Sequence, residues 1–137
     1  DTCRAAVVLL QEDTPLKTPR PVIRVRDPYL AFALLQRHFH PEPTATGYRH
    51  PSASINDTAR LADDVDVEAH AVIAAGVSVG RGTRIEAGCI IGPGVTIGER
   101  CLLHARTVIG RDCVLGNDVI LQPGAVIGSD GFGYAWD

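Results

Sequence analysis

The chain has 137 residues, of which 45% are apolar and 21% charged, a composition that predicts a folded protein rather than a disordered one. Lys and Arg total 13 against 16 Asp and Glu, a formal charge of −3, so we do not expect a nucleic-acid binder, which normally carries a basic surplus. No apolar run is long enough to predict a transmembrane segment. The chain contains no Met and ends at Asp137 within a patterned stretch, so we expect it to be an internal fragment of a longer protein.

Residues 1–40 predict the C-terminal part of a small α/β domain. Two apolar runs, residues 4–10 and 22–26, are typical of buried strands. A helix is predicted after Asp27, which suits an N-cap, and it is expected to end before Pro41. Two strands and one helix are too few to enclose a core. The apolar face of the helix is expected to consist of Leu30, Phe32, Leu34, Leu35 and Phe39.

A strict six-residue period begins after a predicted linker, residues 41–50, and continues through residues 51–137. Thirteen successive positions at this spacing are Ile, Leu or Val, types that make up about a quarter of the chain, so the period is not accidental. Period six is the hexapeptide signature of a parallel β-helix with three short strands per coil, here about four coils. The thirteen rung positions are Ile55, Leu61, Val67, Ile73, Val79, Ile85, Ile91, Ile97, Leu103, Ile109, Leu115, Leu121 and Ile127.

A second column of small or β-branched residues stands two positions before each rung and is also expected to face the core. Cys89, Cys101 and Cys113 belong to this column, each on a different face, so core packing is predicted rather than a thiol cluster. Together with Cys3 they suit a reducing compartment. Gly follows the rung at six positions, which predicts either positive φ or close backbone approach. Those positions are Gly80, Gly92, Gly98, Gly110, Gly116 and Gly128.

The five His residues do not have metal-ligand spacing, so we expect no zinc site. His38 and His40 end the predicted helix, where a cation suits the helix dipole. His50 is predicted to be a turn residue, and His70 an exposed corner residue. His104 directly follows a rung, and two roles stay open for it: a contact between subunits or a catalytic role. The basic residues Arg81, Arg84, Arg100, Arg106 and Arg111 are predicted to form a solvated face, with binding of an acidic carrier protein as the alternative.

Three stretches of the chain resemble the UDP-3-O-acylglucosamine N-acyltransferases of lipid A synthesis. They are residues 27–33 (Asp-Pro-Tyr-Leu-Ala-Phe-Ala), residues 50–53 (His-Pro-Ser-Ala) before the first rung, and residues 127–135, with Asp-Gly-Phe-Gly-Tyr after a rung. The family usually has Asn where this chain has Asp27, and Asp caps a helix equally well. The resemblance implies a left-handed coil, a cytoplasmic homotrimer and active sites between neighbouring prisms.

The resemblance also implies an activity. A 3-hydroxyacyl chain would pass from acyl carrier protein to the 2-amino group of a UDP-linked, 3-O-acylated glucosamine, with a His as general base and no cofactor beyond the thioester donor. That His would lie after Asp137 and the uracil contacts before Asp1, so no catalytic residue is assigned here and the fragment alone is expected to be inactive. The loop after the last rung is interpreted as a wall of the substrate cleft, or else as a structural plug. Its residues are Asp130, Gly131, Phe132, Gly133 and Tyr134.

Two other functions stay open. One is another hexapeptide O- or N-acyltransferase acting on sugars, against which the loop at residues 130–134 argues. The other is a non-catalytic trimeric solenoid scaffold. The enzyme predicts further rungs containing His in the parent protein, whereas the scaffold predicts a capping segment near residue 137.

Overall fold

The computed structural model divides into two separate units, and the strands of both units are parallel. The first unit is residues 1–43 and the second is residues 44–137. Among the described helices, none is both long and apolar enough to cross a membrane. The structure describes residues 5–15, 17–41, 43–131 and 133.

The first unit contains two strands and a helix, as predicted. Strand β1 (Val8–Gln11) pairs in parallel with β2 (Val22–Val25), and helix α1 (Pro28–Phe39) follows. The helix begins where expected because one carboxylate oxygen of Asp27 accepts hydrogen bonds from two backbone N–H groups of the first turn, those of Tyr29 at 2.9 Å and Leu30 at 3.0 Å.

The expectation that these strands are buried is wrong. No described residue of the first unit is buried, and the apolar residues of α1 stay open to solvent, with Leu30 57% exposed. The physical reason is that a two-stranded sheet and one helix are too few layers to enclose a core. This unit therefore has no core of its own.

The second unit is a solenoid of thirteen two-residue strands across residues 54–127, all of which the structure describes. Each strand consists of one outward residue and one predicted rung residue. The strands are β3 (Ser54–Ile55), β4 (Arg60–Leu61), β5 (Asp66–Val67), β6 (Val72–Ile73), β7 (Ser78–Val79), β8 (Arg84–Ile85), β9 (Ile90–Ile91), β10 (Thr96–Ile97), β11 (Leu102–Leu103), β12 (Val108–Ile109), β13 (Val114–Leu115), β14 (Ile120–Leu121) and β15 (Val126–Ile127).

The solenoid strands form three parallel sheets, which confirms the predicted parallel β-helix. Their orders are β15-β12-β9-β6-β3, β14-β11-β8-β5 and β13-β10-β7-β4. Partners are 18 residues apart, so that Ile73 pairs with Ile91 and Ile91 with Ile109. Consecutive strands along the chain thus lie in different sheets, three strands to a coil. The left-handed sense stays a prediction from the resemblance.

Both predicted columns form the core. Rung side chains from Val67 to Ile109 are at most 3% exposed, and residues of the second column from Val65 to Thr107 are at most 1% exposed. The two buried hydroxyls find acceptors in backbone carbonyls: Thr83 Oγ1 donates to Gly98 O at 3.0 Å and Thr107 Oγ1 to His104 O at 2.7 Å. The core is thus apolar, and its few polar atoms are paired.

Glycines in the corners have two separate roles. After the rung, Gly80 lacks positive φ, but a Cβ there would stand 2.7 Å from the carbonyl carbon of Gly98 in the next coil. Close approach is therefore the reason for glycine at this position. Two residues farther on, Gly82 has φ +68°. The same left-handed position is occupied by L-residues at five corners, His70, Arg100, Arg106, Asp112 and Asp118.

The end of the predicted linker pairs with the first coils. Val67 N donates to Tyr48 O at 2.7 Å, and His50 N donates to Val67 O at 2.8 Å. Asp66 Oδ1 accepts from the backbone N–H of Thr46 at 2.8 Å and of Tyr48 at 2.9 Å. These bonds extend the ladder of the solenoid below its first regular strands.

Candidate functional site

The outward residues of the strands make the three faces of the solenoid chemically different. On the β5/β8/β11/β14 sheet they are Asp66, Arg84, Leu102 and Ile120, which we call the ionic face because its lower half is charged. On the five-stranded sheet, β3 has Ser54 outward, and the later strands β6, β9, β12 and β15 have Val72, Ile90, Val108 and Val126, which we call the aliphatic face. On the remaining sheet they are Arg60, Ser78, Thr96 and Val114.

A histidine–carboxylate pair lies at the corner between the ionic and aliphatic faces. Glu86 and His104 each follow a rung of the ionic-face sheet and are 18 residues apart, so they occupy the same corner in adjacent coils. Glu86 Oε2 lies 3.2 Å from His104 Nδ1 and accepts the backbone N–H of Ala105 at 3.0 Å. Both side chains are half-buried, 24% exposed for Glu86 and 28% for His104. His104 is a candidate from the sequence, whereas Glu86 is not, although the 18-residue repeat distance could have identified it.

A second charged group lies one coil below. The Arg84 guanidinium approaches Asp66 Oδ2 at 3.8 Å and Glu68 Oε1 at 4.0 Å. Both distances are long for charge-assisted hydrogen bonds, and Arg84 Nε is buried without a hydrogen-bond acceptor among the described residues. The Arg84 guanidinium therefore lies close to two carboxylates, while its buried Nε–H has no acceptor among the described residues.

Asp66 is the anchor of this group. Its partial burial opposes ionisation, but the hydrogen bonds donated by the Thr46 and Tyr48 backbones and by the Thr46 hydroxyl outweigh that effect, so the pKa of Asp66 is lowered. Asp66 is thus held as a carboxylate and ties the segment before the first coil to the ionic face.

Most of the aliphatic face is open to solvent, with Val72, Ile90 and Val126 exposed and Val108 half-buried. Ile90 is 48% exposed and Val126 59% exposed, although both are β-branched residues stacked in one column. Small residues flank this column on the following corner, including Ala74 and Gly92. A contiguous aliphatic strip bordered by small residues is typical of a surface that contacts another protein.

The remaining described histidines do not share the geometry of His104. His50 is the predicted turn residue, since its carbonyl accepts from Ala53 N at 2.9 Å and its Nδ1 lies 2.8 Å from Ser52 Oγ. His70 is exposed at a corner with φ 58°, which confirms its predicted position. Neither has a carboxylate partner among the described residues.

The five arginines predicted to share one solvated face are spread over the solenoid. Arg84 lies on the ionic face, while Arg106 and Arg111 lie at different corners. Arg100 forms an exposed ion pair with Asp118 at 2.8 Å, whose hydrogen bonds and charge raise the pKa of the guanidinium and lower that of the carboxyl. The described arginines therefore do not form one basic patch.

The predicted substrate loop is only partly described. Asp130, Gly131 and Gly133 are exposed, whereas Phe132 and Tyr134 lie outside the described residues. Among the described residues, no atom lies within 4 Å of a Cβ built at Gly131 or Gly133, so the described part of the loop does not fold back closely on the solenoid. The role of this loop stays a prediction.

The cysteines are core residues on three different sheets, as expected. Cys89 and Cys101 are buried and Cys113 is half-buried, all as free thiols. Burial raises the pKa of the Cys89 thiol, which donates to His104 O at 3.2 Å. Within the described residues no group of three His, Cys, Asp or Glu side chains could hold a metal ion.

Comparison with known proteins shows that part of the solenoid matches a family model of bacterial transferases. The family described as bacterial transferase hexapeptide (six repeats) matches residues 76–111 and 94–129. The chain is 34% identical over 80 residues to UDP-3-O-acylglucosamine N-acyltransferase 1 of Legionella pneumophila (strain Paris), covering 58% of this chain and 22% of that protein. It is 37% identical over 76 residues to UDP-3-O-acylglucosamine N-acyltransferase of Pseudomonas syringae pv. tomato, covering 56% and 21%.

Among solved structures, the chain is similar to Arabidopsis UDP-N-acetylglucosamine acyltransferase. The TM-score is 0.56 at 25% identity, covering 58% of this chain and 29% of that one. The resemblance stated from the sequence is thus confirmed, and these relatives are all acyltransferases. The chain spans about a fifth of the length of the curated relatives it matches.

Proposed function

We propose that this chain, which matches the bacterial transferase hexapeptide model over residues 76–129 and is similar to UDP-3-O-acylglucosamine N-acyltransferases, is part of such an enzyme. The enzyme would move a 3-hydroxyacyl chain from acyl carrier protein to the 2-amino group of UDP-3-O-acyl-glucosamine. The observation that carries the proposal is the 34–37% identity to relatives of that name over 76–80 residues. No cofactor is needed, because the thioester of the carrier protein is an activated donor.

The proposed chemistry requires an amine, a thioester and a base. The amine attacks the thioester carbonyl, and a base takes its proton while donors stabilise the oxyanion. The loop at residues 130–134 enters the proposal as a wall of the substrate cleft. Replacing Phe132 by Ala in the complete enzyme should then raise KM or lower kcat, and unchanged kinetics would leave only a structural role for the loop.

The proposed assembly is a cytoplasmic homotrimer that uses the aliphatic face as a subunit contact. That face has an uninterrupted aliphatic outward column from β6 to β15, whereas charged side chains occur in the outward columns of the other two. Ile90→Lys in the parent protein should therefore lower the oligomer mass measured by light scattering. Thr96→Lys, on the third face, is the matched control and should leave the mass unchanged.

The function is tested with the parent protein expressed from its complete reading frame. It is incubated with 3-hydroxyacyl carrier protein and UDP-3-O-acylglucosamine, and mass spectrometry should show one added acyl group that resists mild alkali, as an amide does and an ester does not. The isolated 137-residue chain is expected to show no turnover.

One alternative has its own support. The structural similarity to Arabidopsis UDP-N-acetylglucosamine acyltransferase favours another sugar-nucleotide acyltransferase. An alkali-labile product formed from UDP-N-acetylglucosamine, without transfer to the free amine, would establish that alternative. Absence of transfer to both acceptors would favour the non-catalytic scaffold.

A further inference from the structure

We propose that His50 makes the corner before the first strand of the solenoid sensitive to pH. Protonation of its imidazole removes the hydrogen-bond acceptor on which this corner depends. The segment that enters the solenoid is therefore held more loosely in mild acid than at neutral pH. This property belongs to the fold and holds whether or not the parent protein transfers acyl groups.

The hydrogen bonds at this corner determine the protonation state of His50. The backbone N–H of Ser52 donates to His50 Nδ1 at 3.1 Å. A backbone N–H can only donate, so Nδ1 carries a lone pair and the proton of the neutral ring is on Nε2. Ser52 Oγ lies 2.8 Å from the same nitrogen and accepts the backbone N–H of His70 at 3.1 Å, so its own proton is directed to Nδ1. His50 Nδ1 therefore accepts both donors of Ser52.

The next corner of the chain has the same hydrogen bonds around an acceptor that does not titrate. Asn56 Oδ1 accepts the backbone N–H of Thr58 at 3.0 Å and the Thr58 hydroxyl at 2.8 Å. Thr58 Oγ1 in turn accepts the backbone N–H of Gly76 at 3.0 Å, just as Ser52 Oγ accepts that of His70. An amide oxygen satisfies this turn at every pH, whereas an imidazole does so only while it is neutral.

Protonation of His50 removes one of these bonds without a substitute in the corner. An imidazolium carries a proton on each ring nitrogen and has no acceptor. The Ser52 hydroxyl can rotate and accept from Nδ1, because its oxygen has two lone pairs and still keeps the His70 N–H. The Ser52 backbone N–H cannot reverse, so it faces another donor. Its bond to Nδ1 is present while His50 is neutral and is lost as the pH falls through the range in which histidines gain a proton.

The other titratable and charged groups around His50 lie on the same segment or on the coil that pairs with it. They are Tyr48, Arg49, Asp66, Glu68 and His70. Both carboxylates have other partners: Glu68 Oε1 approaches the Arg84 guanidinium at 4.0 Å, and Asp66 Oδ1 accepts backbone N–H groups of the segment before the corner. His70 titrates in the same range as His50, so the experiment has to separate the two histidines.

Hydrogen exchange of single backbone amides in the parent protein tests the proposal, with each rate corrected for its intrinsic dependence on pH. Between pH 7.5 and pH 5.5 the protection of the Ser52 amide should fall about twofold to tenfold, as expected for the loss of one ordinary hydrogen bond. The protection of the Thr58 amide, which is bonded to Asn56, should not change. In the His50→Asn variant the Ser52 amide should become equally insensitive to pH, because Asn supplies the same acceptor at both pH values.

His70→Asn is the control for the second histidine at this corner. His70 has φ 58°, which Asn tolerates, and only its backbone N–H takes part in the described hydrogen bonds. The fall in Ser52 protection should therefore persist in this variant.

Three results would overturn the proposal. An equal fall at Ser52 and Thr58 in the wild type would show a general loosening in acid. A fall at Ser52 that persists in His50→Asn would show that another group titrates, since Asn cannot gain the proton. Should His50→Asn fail to fold, the wild type and His70→Asn decide: no fall at Ser52 in the wild type, or a fall abolished by His70→Asn, would also overturn it.

Discussion

The two units of the chain differ in how far they bury their apolar side chains. In the solenoid, each coil covers the coil below, so Ile91 stacks between Ile73 and Ile109 and is 1% exposed. In the first unit, β1 and β2 pair only with each other, and Ile23 remains 50% exposed. A repeat needs only its neighbours for a core, whereas an α/β layer needs covering elements on both faces.

This difference also decides which unit can hold functional side chains in a fixed arrangement. The ladder fixes the corner residues in register, which is why Glu86 contacts His104, 18 positions farther along the chain. Precise placement of side chains requires a backbone that is itself held by packing. The first unit has caps and strand pairs but no buried residue among those described, so it offers no comparable support.

The largest effect is expected from removing side-chain volume in the solenoid core. Ile91→Ala should lower the free energy of unfolding by about 2–5 kcal/mol, because the adjacent coils cannot collapse into the cavity. Ile23→Ala, at a half-exposed position of the first unit, should cost less than about 1 kcal/mol. Urea denaturation of the two variants measures the difference, and similar losses would contradict the contrast between the units.

A second test adds volume at a corner. Gly80→Ala would place a Cβ 2.7 Å from both the carbonyl carbon and oxygen of Gly98, so the coils must separate, at a cost of about 1–3 kcal/mol. Gly116 occupies the same position of the repeat, but a Cβ there meets no atom of the described residues within 4 Å. Gly116→Ala should therefore be close to neutral, and equal losses in thermal unfolding would show that glycine is needed for another reason.

A third test separates a hydroxyl that satisfies a buried N–H from one that does not. Thr83 Oγ1 accepts the Cys101 N–H at 3.1 Å, so Thr83→Val leaves that buried donor unpaired and should cost about 1–3 kcal/mol. Thr107 Oγ1 donates to His104 O, and no backbone N–H depends on it in the described contacts, so Thr107→Val should cost less than about 1 kcal/mol. Chemical denaturation measures the loss of unfolding free energy in both variants. A larger loss for Thr107→Val than for Thr83→Val would show that the carbonyl acceptors matter more than the buried Cys101 N–H.

Periodicity predicted the solenoid almost residue by residue, because a core made by stacking depends only on which side chains recur. All thirteen rungs occupy the second position of a strand. The N-cap at Asp27 was equally predictable, since capping is local. Burial of the first unit was predicted wrongly because apolar runs show what a strand could pack against, not whether a partner is present.

The candidate site was predictable only in part. His104 could be singled out by its position after a rung, but its partner Glu86 became visible only when the coil period placed the two side chains at one corner. The prediction that the arginines form one face was wrong for a related reason. Arg84 lies on the ionic face, whereas Arg106 and Arg111 lie at two different corners, and charge content alone does not give direction.

The smallest expected effect concerns how the segment before the first coil is attached. The pKa of Asp66 is lowered below the ordinary 3.8, so its stabilisation is fully present above that value and is lost as the pH falls through the folded-state pKa. Asp66→Asn keeps an acceptor but loses the charge, and should cost about 1 kcal/mol near neutral pH and progressively less in acid. Asp57→Asn, at an exposed corner, is the control and should change little at either pH. Urea unfolding at pH 7 and pH 3 measures both, and a loss for Asp66→Asn that is equal at the two pH values would show that the carboxylate charge does not hold this segment on the solenoid.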